Sequence, residues 1–152
     1  MDNQETFASV VIIDLSTITP NKYQLPRIED IFQDMKEANF FTKLDLRQGY
    51  HQIPISETDE YKTAFWGADR QLYEWNIVPY GLKNAPLFFQ RTMDQILTRL
   101  RNSRYYINGI SNWSNTFEDH LQHLRQVFHR LRQFKLKCHP RKCLFFADEM
   151  DF

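Results

Sequence analysis

The sequence predicts an α+β fold, an antiparallel sheet with helices packed on one face, and three observations point there. Residues 40–46 alternate between two faces with the period of a strand, two later segments repeat apolar residues at helical spacing, and Asn108-Gly109 sits between apolar stretches as a hairpin signal. The resulting order of strand, hairpin, helix, hairpin, helix and closing strands is that of a split β-α-β sandwich. Many unrelated functions share that architecture, so it assigns none by itself.

Residues 1–20 are the least patterned part, with Val10 to Ile13 a candidate short strand. Ile28, Ile31, Phe32 and Met35 recur at i, i+3, i+4 and i+7, which predicts a helix over about residues 26–38, opened by Pro26 at a first-turn position. In the next segment Phe40, Thr42, Leu44 and Leu46 share one face and Phe41, Lys43 and Asp45 the other, so a strand buries the leucines and presents Asp45 outward. Residues 61–66 and 71–77 read as a hairpin across Gly67-Ala68-Asp69-Arg70. A helix beginning near Asn84-Ala85-Pro86 has Phe89, Met93, Ile96 and Leu100 as its buried stripe. Tyr105 to Ile107 and Ile110 to Trp113 flank Asn108-Gly109, residue types suited to the left-handed positions of a two-residue type I′ turn. Asn115, with Glu118 three residues on, is the expected capping box of a last helix whose core face is Phe117, Leu121, Leu124, Phe128 and Leu131. Leu136 to Cys138 and Cys143 to Phe146 are expected as short closing strands.

A length of 152 residues suits one domain with a real core, and 42% hydrophobic with 25% charged residues sets the chain apart from disordered sequences. Aromatic residues reach 15%, read first as core and second as base-stacking platforms. The 19 basic and 19 acidic side chains cancel. Proteins that grip a nucleic-acid backbone usually carry a basic surplus, so the balance argues against tight autonomous binding while leaving room for a local basic face. Val10 to Ile13 is the longest aliphatic run, far short of the ~20 residues a membrane span needs. With no basic signal-peptide start, the expected location is intracellular, cytoplasm or nucleus, with no membrane partner. Cys138 and Cys143 fit reduced thiols better than a disulfide scaffold.

Three segments carry a more specific pattern. They are Phe41-Thr42-Lys43-Leu44-Asp45-Leu46-Arg47-Gln48-Gly49-Tyr50-His51-Gln52-Ile53, then Pro79-Tyr80-Gly81-Leu82-Lys83-Asn84-Ala85-Pro86 with Phe88-Phe89-Gln90-Arg91, and Tyr106-Ile107-Asn108-Gly109-Ile110. The first two resemble catalytic motifs of gypsy-type LTR retrotransposon reverse transcriptases, and the third sits where their Tyr-x-Asp-Asp motif belongs. Tyr23 to Asp30, His120 to Val127 and Pro140 to Cys143 extend the likeness over roughly residues 15–152. It implies partial fingers and a palm over 21–152, without thumb or RNase H, after a poorly matched segment 1–20.

The family's chemistry uses two magnesium ions held by three aspartates. Asp45 matches the first, whereas Asn108 and Gly109 stand at the positions of the Asp pair, leaving Asp45 a weak metal ligand at best. Glu118 and Asp119, the nearest acids downstream, are expected on the following helix. No cofactor is therefore expected, and the chain is expected to be an inactive relative of RNA-directed DNA polymerase. The resemblance also places Tyr50 at the position that screens against a 2′-hydroxyl, Gly81 and Gln90 near nucleotide and template, and Arg141 and Lys142 near the late basic position. The plain alternatives are a packed aromatic for Tyr50, a turn residue for Gly81 and a solvated helix position for Gln90. Asn108-Gly109 is also read as a replacement that stabilises the hairpin.

His120 and His123 with Cys138 and Cys143 have spacings near those of zinc sites, but they coincide with ordinary positions of the same family. Three functional readings follow. The first is an inactive palm domain, either a decaying relic or a module retained to bind RNA, DNA or a protein. The second is a residual nucleotidyltransferase needing a partner subunit, and the third an interaction domain using a truncated sheet edge at Phe152.

Overall fold

The computed structural model describes residues 27–82, 85–106 and 109–147. The candidate strand at Val10 to Ile13, together with Lys83, Asn108 and Phe152, lies outside the described residues. Among the described residues six strands and three α-helices run in the order α1 (Ile28–Met35), β1 (Phe40–Asp45), β2 (Phe65–Trp66), β3 (Leu72–Tyr73), α2 (Ala85–Ile96), β4 (Ser103–Tyr106), β5 (Gly109–Ser114), α3 (Phe117–Gln133) and β6 (Leu144–Ala147). The main sheet is antiparallel in the order β4-β5-β1-β6, and β2-β3 form a separate two-stranded ribbon. The α+β class and the antiparallel sheet are as the sequence predicts.

Alternation along β1 sets the layers. Thr42, Leu44 and Leu46 are buried on one face, opposite Asn112 and Ile110 of β5. On that face α2 contributes Phe89, Met93 and Ile96 and α3 contributes Val127 and Leu131 to one core with Leu44, Ile110 and Tyr105. Each such side chain contributes about 1.5–3 kcal/mol on full burial. The reverse face, carrying Phe41 and Trp113, receives α1 through Ile31 and Met35. Two helices thus share one face, as expected, and the third covers part of the other.

Several elements differ in detail from expectation. In α1, Phe32 is 47% exposed, whereas Ile31 and Met35 are buried against Trp113. The 61–77 hairpin shrinks to two residues per strand, since residues 60–63 coil into a 3-10 turn. Leu100 lies past the end of α2 and is half-buried, and Leu97 fills the space below Ile96 instead. Along α3 the buried stripe is His120, Leu124, Val127 and Leu131, which leaves Phe117 and Phe128 exposed. The cap also moves by one residue. Thr116 Oγ1 accepts the Asp119 N–H at 3.2 Å and donates to the Asp119 carboxylate at 2.7 Å, replacing the expected Asn115 and Glu118 pair. Of the two closing strands, the first reduces to a bridge between Cys138 and Leu46.

The β4–β5 register also corrects the hairpin. Tyr106 pairs with Gly109, so Gly109 is a strand residue rather than a turn centre. Its φ is not left-handed, the glycine of that kind being Gly81 at φ 94°. The stabilising role expected of Asn-Gly in a type I′ turn therefore does not apply to Gly109. Its constraint is spatial: a Cβ there would sit 3.1 Å from the Leu44 carbonyl oxygen.

A polar seam fastens α3 to the Phe40 end of the sheet. His120 is fully buried, shares a 2.8 Å hydrogen bond with Thr42 Oγ1 through Nε2, and a 3.0 Å bond with Ser114 Oγ through Nδ1. Ser114 Oγ continues to His123 Nδ1 at 2.7 Å, and Thr42 Oγ1 accepts the Phe146 N–H at 3.3 Å. Burial, and then the neighbouring His123, lower the His120 pKa below its ordinary 6.5. The seam accordingly holds a neutral ring.

Two outcomes follow. An unfolded histidine takes up its proton near pH 6.5, whereas folded His120 resists it, so stability is complete above that pH and falls as the pH drops toward the folded pKa. Urea unfolding should show a lower midpoint at about pH 5.5 than at about 7.5, with the difference reduced in His120→Gln. Replacing Thr116 by alanine removes the cap of α3 and should cost about 1 kcal/mol in the same assay.

Candidate functional site

The site forms where the chain leaves β1. After Asp45, Leu46 bridges Cys138 and the Arg47 N–H donates to the Lys137 carbonyl at 3.0 Å. Gln48 adopts a left-handed φ of 49°, which reverses the chain into the 3-10 turn Gly49–Gln52. Gln52 clamps that turn in place. Its amide nitrogen donates to the carbonyls of Arg47 (2.7 Å) and Lys137 (3.0 Å), and its oxygen accepts the Lys137 N–H at 2.7 Å. Gly49 lies against the Phe89 ring, 2.8 Å from where a Cβ would stand, so a larger residue would push the turn off α2.

The turn and the strand end enclose an open cleft of about 610 Å³ lined by Asp45, Arg47, Tyr50, Tyr80, Tyr105, His139 and Lys142, among others. Three phenol rings form one wall. Tyr50 meets Tyr80 edge-on at 5.7 Å and Phe89 at 5.1 Å, and Phe89 in turn meets Tyr105 at 5.3 Å. Burial, then Tyr80, raise the Tyr50 pKa; burial, then Tyr50 and Asp45, raise that of Tyr105 still further. The Tyr50 and Tyr105 phenols are therefore neutral donors rather than bases. Across the cleft, the Asp45 carbonyl accepts the His139 N–H at 2.8 Å, and His139 Nδ1 is buried without a hydrogen-bond partner. Two cations, Arg47 and Lys142, face one carboxylate, so this small surface is locally basic although the chain as a whole is neutral.

Of the residues singled out by sequence, the cleft brings together Asp45, Tyr50 and Lys142. Gly109 stands directly opposite Asp45 in the β1–β5 register. Gly81 is exposed at φ 94° with open space around it, the geometry of a turn. Gln90 is 2% exposed, which overturns the solvated-helix alternative. Its amide donates to the Tyr105 carbonyl at 2.7 Å and to Asp94 at 3.1 Å, tying α2 to β4 behind the cleft. The sequence reading missed Tyr80, Tyr105 and His139 as lining residues and Gln52 as the clamp. Only Tyr105 had a signal, its inward alternation in β4.

The donor set can be tested against the two magnesium ions implied by the resemblance. Magnesium requires several hard, preferably anionic oxygens in octahedral array. Asp45 supplies one carboxylate and Gly109 no side chain. The acids of α3 do not reach: β5 runs from Gly109 opposite Asp45 to Ser114 opposite Phe40, a span of roughly 16 Å, and α3 begins beyond it. Asp119 is moreover engaged by Thr116. Among the described residues no three His, Cys, Asp or Glu side chains are grouped to hold a metal, the histidine and cysteine set included. The described residues do not fit a two-metal centre.

Residues 6–152 match the family described as reverse transcriptase (RNA-dependent DNA polymerase). A retrovirus-related Pol polyprotein from transposon 297 of Drosophila melanogaster is 36% identical over 148 residues, covering 93% of this chain and 14% of that protein. The transposon Tf2-3 polyprotein of Schizosaccharomyces pombe is 33% identical over 137 residues, covering 89% of this chain and 10% of its own length. The chain thus spans about a seventh or less of these relatives. Two solved structures share the fold. A foamy viral protease-reverse transcriptase in complex with double-stranded DNA has a TM-score of 0.78 at 22% identity, covering 87% of this chain and 23% of that one. The same enzyme with an RNA/DNA hybrid scores 0.77 at 23% identity, with 87% and 18% covered. No helix among the described residues is long and apolar enough to cross a membrane. A cleft built on the Asp45 strand end, the ordered motifs around it and these relatives lead to one conclusion: the chain belongs to the reverse transcriptase (RNA-dependent DNA polymerase) family, in its retrotransposon branch.

Proposed function

We propose that this chain is a reverse-transcriptase-like domain that does not synthesise DNA and instead binds nucleic acid at the Asp45 cleft. One observation carries the first half: among the described residues Asp45 is the single carboxylate lining the cleft, where phosphoryl transfer by two metals needs three. Without further anionic ligands the site neither lowers the pKa of a primer hydroxyl nor neutralises the charge that develops on the transferred phosphoryl group. What remains is a surface with other uses. Arg47 and Lys142 suit backbone phosphates, and the exposed ring of Tyr80 offers stacking area for a base. The foamy viral relatives of the same fold, solved with double-stranded DNA and with an RNA/DNA hybrid, support a nucleic-acid ligand.

The test is fluorescence anisotropy with labelled single-stranded RNA, single-stranded DNA and hybrid duplex across a salt series, alongside primer extension with magnesium and with manganese. Binding should be salt-sensitive, and Arg47→Ala with Lys142→Ala should weaken it about tenfold while lowering the salt slope by about 1 to 2. No extension should occur with either metal. Extended primer would replace this reading with that of a residual polymerase, and absence of binding at low salt would turn the search to protein partners.

Restoring the acidic pair offers a second check. In the double variant Asn108→Asp with Gly109→Asp, the change at Gly109 places a Cβ 3.1 Å from the Leu44 carbonyl and a carboxylate on the residue paired with Asp45. In chelator the double variant should lose about 1–3 kcal/mol of stability, and magnesium should return part of it. An unchanged thermal midpoint in chelator would contradict the crowding argument.

A further inference from the structure

We propose that Cys138 and Cys143 are a redox-modification site, a thiol pair that closes into an intrachain disulfide on meeting a small disulfide such as oxidised glutathione. Both cysteines are free and half-buried, and both pack against the main core from its rim. Each sulfur is therefore held by its surroundings yet open to a small reagent. They are the two cysteines of the chain, so no other intrachain pairing competes.

The backbone brings the pair together. Cys138 is fixed by its antiparallel bridge to Leu46, and the next residue is anchored where the His139 N–H donates to the Asp45 carbonyl at 2.8 Å. The chain then turns through Pro140–Lys142, closed by the Lys142 N–H donating to the His139 carbonyl at 2.9 Å. That turn returns Cys143 to the side of Cys138. The Cys143 thiol donates to the His139 carbonyl, directly beside Cys138 in the chain, at 3.4 Å and lies 3.9 Å from the Asp45 carbonyl, next to the Leu46 that Cys138 bridges.

The chemistry is thiol–disulfide exchange in two steps. The Cys143 thiolate attacks one sulfur of glutathione disulfide and expels a glutathione thiolate, leaving a mixed disulfide. Cys138 then gives up its proton to water and attacks the Cys143 sulfur, forming the intrachain bond and releasing the second glutathione. Two protein thiols are oxidised and one glutathione disulfide is reduced to two thiols, so the electrons balance. The order of steps has a physical basis. Burial first, and Cys143 next, push the Cys138 thiol up to about 12, which makes it the resolving rather than the entering group. Capping Cys143 removes that neighbour's share of the shift and leaves burial with the smaller influence of Asp45. The closed bond would hold Lys142 at a fixed offset from Asp45, since the turn between the cysteines contains it.

The whole chain is incubated natively with excess oxidised glutathione, then unfolded for a thiol count and digested with trypsin without reductant. Both thiols should disappear with no glutathione retained. The peptide Cys138–Arg141 should travel joined to the one that begins at Cys143 and separate from it on reduction. Cys138→Ser should stop at one glutathione on Cys143, which shows that the entering thiol is reachable and the resolving one absent. The proposal is overturned if the native chain keeps both thiols free, if it retains glutathione on either cysteine, or if it crosslinks into dimers.

Discussion

The antiparallel register that sets Asp45 opposite Gly109 and Phe40 opposite Ser114 divides the sheet into two faces of different chemistry. One face, through Leu44, Ile110 and Tyr105, is closed by α2 and α3. On the reverse face Asp45, Lys43 and Ser111 alternate with the core positions, and α1 covers only the Trp113 end. Side chains alternate strictly along a strand, so a slip of one residue would drive Asp45 into the apolar core and expose Leu44. The cleft, the route of the chain after Asp45 and the anchoring of residues 137–139 all follow from that pairing.

The two ends of the sheet are then secured by different means. At the cleft end, backbone and side-chain amides do the fastening: Gln52 holds residues 47 and 137 together, and Gln90 holds Tyr105. At the far end the fastening is a chain of hydroxyl and imidazole groups through Thr42, His120, Ser114 and His123. Buried polar groups are costly when unpaired and specifying when paired. Both ends thus fix how helices sit on the sheet, which apolar contact alone leaves less determined.

Elements with a strong period were legible from sequence. The 40–46 alternation gave the faces of β1 correctly, because a half-buried strand writes its orientation into every second residue. Helix α2 began where Ala85 and Pro86 suggested. Apolar periodicity misled at α3, where His120 took a core position that Phe117 and Phe128 were expected to share. A histidine is admitted there only because Thr42, 78 positions away in sequence, and Ser114 on the neighbouring strand satisfy both ring nitrogens. The Asn108-Gly109 reading failed for a similar reason. Residue types favoured Asn108 and Gly109 as the two turn residues, but pairing with Tyr106 and Asp45 placed Gly109 in the strand. The site was legible at Asp45, Tyr50 and Lys142 through the family pattern, whereas Gln52, Tyr80 and His139 become site residues only once the 47–52 turn meets residues 137–142. Contacts across about 85 positions leave no local signature.

The pairing of β1 with β6 is irregular: Phe41 meets Ala147 and Lys43 meets Leu144, so Phe145 and Phe146 oppose Thr42 alone, with Phe146 at φ 53°. This bulge lies on a strand at the margin of the described sheet that shows Leu144, Phe145 and Phe146 to solvent. A straight, apolar margin of that composition would recruit identical strands from neighbouring molecules and seed fibrils. The bend disrupts the spacing of outward amide groups and lets Phe146 rest its ring on His120 and Phe117. The irregularity therefore acts as a guard on colloidal behaviour, and it keeps an aromatic-rich border from becoming a template.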